Sequence, residues 1–251
     1  MADGFGVMEL SIAMEIGERL LISGAEVSRV EDTITRICRA YGANRVDVFT
    51  ITSSIVVTAW GESDLPLTQT RRVTGLSNDL TALSELNALS RRICAQRPAA
   101  ALVSAELARI DALPKYNFGV MLLVYAMVSA AFSIFFGGSA RDAAASAVIG
   151  MLIKLMQAAF SQLKVNALLS ALLCSIIGGA SAWYIISLGL ADSLGSISIG
   201  NIMLLIPGIA LPNSMRDMFS GDTISGLLRF TEALVLSVVI ALGFAMPTVI
   251  I

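Results

Sequence analysis

The 251-residue chain contains no histidine. That removes His-based catalytic triads, His general acid–base chemistry and any His-ligated zinc or haem site. Cysteine is scarce: Cys38, Cys94 and Cys174 stand far apart, form no CxxC pair, and are odd in number, which argues against a disulfide framework. Charged residues make up only 14% of the chain, and the net charge of −2 comes without a basic tail or a Lys/Arg-rich run. Nucleic-acid binding therefore has no electrostatic support. The opening segment is not expected to act as a leader. The opening MADGFGVMELSIAMEIGERLL lacks a basic start, and Glu9, Glu15 and Glu18 interrupt its apolar run. It is not expected to be a signal peptide, and the segment that follows is expected to stay on the side where it was made. Nothing in the composition calls for a metal or a cofactor.

Apolar residues are abundant. They form 56% of the chain, with a mean hydropathy of +0.79, against roughly 45–50% in ordinary soluble domains. The excess is uneven. Residues 1–117 hold 12 of the 17 Lys+Arg and 14 of the 19 Asp+Glu, and residues 118–251 hold five of each. The expectation is a membrane protein with a cytoplasmic α+β domain over residues 1–116, followed by an all-α bundle of five transmembrane helices over 117–251.

In the first region, apolar residues at Ile12, Ala13, Ile16 and Leu20 repeat at helical spacing over 7–22. Ser23-Gly24-Ala25-Glu26 breaks that helix and has the form of a capping box opening a second one, which runs to about residue 41 and stops at Gly42. Asp32 and Arg36 are spaced as an i,i+4 pair. Runs 46–52, 55–60 and 65–73 are rich in β-branched and aromatic residues. They are separated by Ser53-Ser54 and by a turn over 61–64, and read as a three-stranded antiparallel meander, with Pro66 at a strand start or edge. Two helices follow: one capped by Ser77 with apolar positions Leu80, Leu83, Leu86, Leu89 and Ile93, and one over about 99–113.

The second region divides into spans at 118–136, 143–163, 165–190, 196–211 and 227–251. The fourth is short and broken by Pro207-Gly208 and Pro212, so it is kinked or re-entrant. With the N-terminus inside, the inner loops and their flanks carry Lys115, Lys164, Arg216 and Arg229, and the outer loops carry only Arg141, Asp142 and Asp192. Basic residues favour the inside. The expected orientation is N-terminus cytoplasmic and C-terminus external.

Few residues in this setting carry chemistry. Lys154 falls near the middle of the second span, roughly 16 Å deep at 1.5 Å per residue, where an ionisable group marks a function or a partner unless it snorkels to the interface. At the Pro207-Gly208 break, proline frees a backbone carbonyl, and Asn201 and Asn213 flank it. It is either a solute site or a packing kink. Asp217, Asp222, Arg229 and Glu232 form a polar group at the entry to the fifth span, open to proton coupling or to solvation as an ordinary loop. Glu26 and Arg29 are spaced to meet on the second helix, with Glu31 pointing elsewhere, and a solvated face is the plainer reading. A polar path through Lys154, the break and Asp217 would suit a small anionic or zwitterionic solute.

Two segments resemble a known family. Gly24-Ala25-Glu26-x-x-Arg29-Val30-Glu31 resembles the G-A-x-x-x-R-[VL]-E segment near the start of the threonine/serine exporter (ThrE) family. The run Pro207-Gly208…Asn213…Asp217…Gly221-Asp222…Gly226…Arg229 resembles that family's second signature, between the fourth and fifth spans. The resemblance implies proton-motive-force-driven export of small hydrophilic metabolites, either threonine/serine-type amino acids or dicarboxylates such as succinate. Full-length members have ten spans in two dissimilar halves, so a chain of this length is similar to the YjjP-type split subunit. The implied partners are a small YjjB-type membrane subunit, membrane lipid and a small polar substrate, with a homo-oligomer as a further assembly. The implied location is the bacterial inner membrane. Two rival readings stand beside it: a membrane-anchored enzyme with the soluble domain as its catalytic unit, which the resemblance implies would be hydrolase-like, and a membrane scaffold or sensor.

Overall fold

The computed structural model describes residues 5–63, 65–75, 77–114 and 116–250. Residues 1–4 of the opening segment, Asp64 of the turn, Lys115 of the charge argument and Ile251 lie outside the described residues. The chain divides into two compact units, one formed by 1–114 with 209–230 and the other by 115–208 with 231–251. The sequence expectation placed a single division at residue 116.

The first unit begins with α1 (Val7–Ile22) and α2 (Val27–Ala40). Gly17 of α1 lies so close to Ile34 of α2 that a Cβ there would stand 2.5 Å from the isoleucine methyl. Val30, Ile34 and Ile37 of α2 are fully buried, each contributing about 1.5–3 kcal/mol. The exposed Asp32–Arg36 pair is formed, at 2.7 Å, but such a pair adds only ~0.2–0.5 kcal/mol. Packing, not the ion pair, holds α2. The capping-box expectation is corrected here. Ser23 closes α1, Gly24 turns the chain at φ +96°, and Glu26 is itself the residue before α2, with no capping bond from its side chain. Glu26 thus sits three positions too early to serve as the acid of a box.

The meander forms as expected, with β1 (Arg45–Ile51), β2 (Ser54–Trp60) and β3 (Leu67–Arg72) antiparallel in the order β1-β2-β3. Ile55, Val57 and Ala59 of the central strand are buried, the alternation that a pleated sheet with one covered face requires. Then come α3 (Leu80–Gln96) and α4 (Ala100–Asp111). Asp79, not Ser77, caps α3 by accepting from the Ala82 N–H at 2.9 Å. Ser77 instead donates its hydroxyl to the Ile22 carbonyl at 3.0 Å. Leu86, Leu89 and Ile93 are buried as the spacing predicts, whereas Leu80 is exposed. The unit is completed by α9 (Ala210–Phe219) and the first turns of α10 (Thr223–Ile250).

The second unit holds α5 (Phe118–Phe135), α6 (Ala140–Gln162), α7 (Ala167–Ser187), α8 (Leu194–Leu205) and the remainder of α10. Among the described residues, α5, α6, α7 and α10 are long and apolar enough to cross a membrane, and a fifth span results if the bent α8–α9 pair counts as one. The fourth span is broken at Pro207-Gly208 as expected, with one helix ending at Leu205 and the next beginning at Ala210. Pro212, expected to be a break, lies in the first turn of α9, where a missing N–H is tolerated. The second span starts earlier than expected because Ser139 and Asp142 form a reciprocal capping box. The buried Asp142 also accepts from the N–H groups of Asp192 and Ser193 at 2.8 and 2.9 Å, fixing the start of α8. In α7, Gly178 and Gly179 admit Phe244 of α10 at distances that any side chain would block.

Candidate functional site

Helix α2 begins without help from its own sequence. Its N-cap makes no side-chain bond, and its first turn contains no acid. The missing group comes from 190 residues away: Asp217 of α9 accepts from the Val27 N–H at 3.1 Å. A carboxylate at a helix N-terminus meets unpaired N–H groups and the positive end of the dipole. Asp217 is fully buried and Arg229 is 5% exposed, and the guanidinium Nε lies 3.5 Å from the second carboxylate oxygen.

The other contacts follow the same pairing of segments. Asn213 donates to the Gly24 carbonyl at 3.3 Å, and Arg229 donates to the Ala25 carbonyl at 2.9 Å. Arg216 pairs with the Glu26 carboxylate. Four consecutive residues, Gly24 to Val27, are thus each held by a different residue of the 213–229 segment. A little further on, Glu31 accepts from the Thr50 N–H at 2.7 Å, and Ser225 donates to the Thr50 carbonyl at 3.4 Å. Burial pushes the Glu31 carboxyl above the ordinary carboxylate range, the Thr50 N–H opposes this, and the charge of Asp222 adds to it. Burial also raises Asp222. Two turns make the arrangement possible: Gly24 at φ +96° and Gly221 at φ +97°.

The expected site residues therefore separate into groups. Gly24, Ala25, Glu26, Glu31, Asn213, Asp217, Asp222 and Arg229 come together in the first unit. The plainer expectation of a solvated loop at 217–229 is corrected, since its acid and arginine are buried. Glu26 faces Arg216 instead of Arg29. Arg29 and Glu232 are exposed and form no ion pair among the described residues. Lys154, Asn201, Pro207 and Gly208 belong to the second unit. The ammonium of Lys154 lies 4.9 Å from the centre of the Tyr125 ring, and Tyr125 donates to Gln157 at 2.9 Å. Asn201 is buried, accepts from Ser129 at 2.7 Å and donates to the Ile197 carbonyl. At the break, the Gly208 N–H returns to the Ile206 carbonyl at 2.8 Å.

Sequence reasoning missed Thr50, Ser129 and Tyr125, and took Arg216 only as an inner-loop charge. Tyr125 and Lys154 fall opposite each other because the helical pair is centred between Ser139 and Ala140, a point that the Gly137-Gly138 turn does not announce.

The family model described as "Putative threonine/serine exporter" matches residues 11–251. The chain belongs to this family. Both of its resembling segments lie within the match, and they are the two that meet around Asp217. The threonine/serine exporter of Corynebacterium glutamicum is 27% identical over 240 residues, covering 91% of this chain and 48% of that protein. The chain thus spans about half the length of that relative. The probable succinate transporter subunit YjjP of Klebsiella aerogenes is 25% identical over 233 residues, covering 90% of this chain and 88% of that protein. No solved structure matches significantly.

Proposed function

We propose that this member of the exporter family is one subunit of a two-component secondary exporter of small hydrophilic metabolites, either threonine/serine-type amino acids or dicarboxylates such as succinate, driven by the proton-motive force. The observation that carries the reading is the meeting of the two signature segments in one buried cluster, with Asp217 and Arg229 at its centre. A solvated loop would need neither the burial nor the pairing. The near-equal length of the YjjP relative supports the split arrangement, with a small YjjB-type subunit as the second component. In this reading residues 1–116 are cytoplasmic, and the chain spans the bacterial inner membrane five times. Lys154, Asn201 and the Pro207-Gly208 break serve the solute, while the Asp217 cluster, with Asp222 beside it, responds to protons.

The test is export of threonine, serine and succinate from cells carrying this gene, the gene for the YjjB-type subunit, both or neither. Export is expected only with both. Robust export by this chain alone, or none with both, refutes the two-component reading.

A further inference from the structure

In the second unit, α5 and α6 run antiparallel across the turn at 136–139, and two contacts set their register. Lys154 stands over Tyr125. One turn on, Gly150 is so close to α5 that a Cβ would lie 2.8 Å from the Tyr125 carbonyl oxygen and 2.9 Å from the Ser129 Cβ. A further turn in the same register brings Ser133 opposite Ser146. Helix α8 closes the third side. Asn201 accepts a hydrogen bond from the Ser129 hydroxyl, and a Cβ on Gly200 would lie 2.7 Å from the Ser129 carbonyl oxygen and 3.1 Å from the Ser133 Cβ. Ser129, Ser133, Ser146 and Asn201 are all fully buried.

Small residues alone would explain how closely these helices approach. They do not explain the hydroxyls. Among the described residues, those of Ser133 and Ser146 are buried without a hydrogen-bond partner, and alanine would pack in the same space without stranding a polar group. The hydroxyl of Ser133 lies 2.8 Å from where a Cβ on Gly138 would be, and that same point is 3.0 Å from the Ser196 Cβ of α8.

We propose that the α5–α6–α8 interface is the solute's route through this unit, seen here closed, that Ser133 and Ser146 offer their unpaired hydroxyls to the passing solute, and that the Ser129–Asn201 pair transfers its hydrogen bond to it. The inference rests on the exporter reading and deepens it. Hydroxyls and an amide both donate and accept, so they suit the uncharged polar parts of a solute. Lys154, two turns from Ser146 on α6, supplies a cation and meets a carboxylate. The ligand class is a small carboxylate-bearing metabolite with at least one further polar group.

The test uses the full chain in membranes with its YjjB-type subunit, its three cysteines replaced by alanine. Ser133→Ala and Ser146→Ala should melt at or above the parent temperature, because each removes an unpaired hydroxyl. Each should lower export of threonine or succinate roughly tenfold, the effect of one lost hydrogen bond. Ser133→Cys should react with an anionic, membrane-impermeant methanethiosulfonate, and Val148→Cys, exposed on the bundle surface, should not. Parental export by the two alanine variants overturns the proposal, as does a Ser133→Cys chain that stays unlabelled with and without solute. Should the parent export neither solute, labelling decides alone: a labelled Ser133→Cys upholds the route while the exporter reading for those solutes fails.

Discussion

Asp217 shows why a residue's role in this family is hard to read from its neighbours in sequence. It caps a helix 190 residues away and is locked there by Arg229. Removing one partner of a buried ion pair strands the other charge, at about 3–5 kcal/mol. Arg229→Met should therefore lower the melting temperature of the full chain in detergent sharply. Adding Asp217→Asn to it should recover part of the loss, since an asparagine oxygen still accepts from Val27. A double variant as unstable as the sum of the singles would show that the two side chains act independently. Glu31 sets a pH dependence of known sign. Its folded pKa is raised, mainly by burial and then by Asp222. The stability it contributes is complete below the ordinary carboxylate pKa of about 4.3 and is lost as pH rises through the folded value. Asp222→Asn should flatten the fall in melting temperature above that pH. An unchanged slope would mean that Asp222 does not act on Glu31. The sequence marked these acids and arginines as candidates because charge is rare in this half of the chain. It held no sign that the partners would be the backbone groups of Gly24, Ala25 and Val27, because main-chain partners leave no pattern of residue types.

The elements were more legible than their ends. Periodicity located α1 to α4 and the meander, because each buries one regular face, as Ile55, Val57 and Ala59 do in β2. Caps misled where two chemistries competed for one short segment. Ser23 and Glu26 had the letters of a capping box, but the left-handed turn at Gly24 moved Glu26 out of register and toward Arg216. The break of the fourth span at Pro207-Gly208 was legible, but its ends were not, because Pro212 is tolerated in the first turn of α9. Two glycines in this region make opposite predictions. A Cβ on Gly226 would lie 2.7 Å from the Ser214 carbonyl oxygen, which cannot move aside, while nothing lies within 4 Å of one on Gly208. Gly226→Ala should force α9 from the start of α10 and destabilise by about 1–3 kcal/mol. Gly208→Ala should leave the stability within about 0.5 kcal/mol of the parent, as an unstrained substitution does. Equal melting temperatures for the two would contradict the close α9–α10 packing.

At the scale of the molecule, hydropathy separated the chain into two contiguous halves, whereas the compact units are interleaved: 209–230 belongs with the N-terminal residues. A method that scores local apolarity cannot see this, because the link is made by buried polar groups. The charge asymmetry of the loops gives the orientation prediction. A phosphatase fused after residue 251, active only outside the cytoplasm, should be active, and a cytoplasmic reporter at the same place should be silent. The opposite result would mean an even number of crossings. The register between α5 and α6 also limits how the gene can change. Lys154 finds Tyr125, and Ser129 finds Gly150, only because both pairs are centred on one point, between Ser139 and Ala140 at the start of α6. A single codon gained or lost between these positions would rotate one helix by about 100° against the other. The lysine would then face lipid, and the defect would appear as a chain that fails to enter the membrane before it failed to export. Point substitutions should therefore accumulate along this hairpin far more readily than changes in its length.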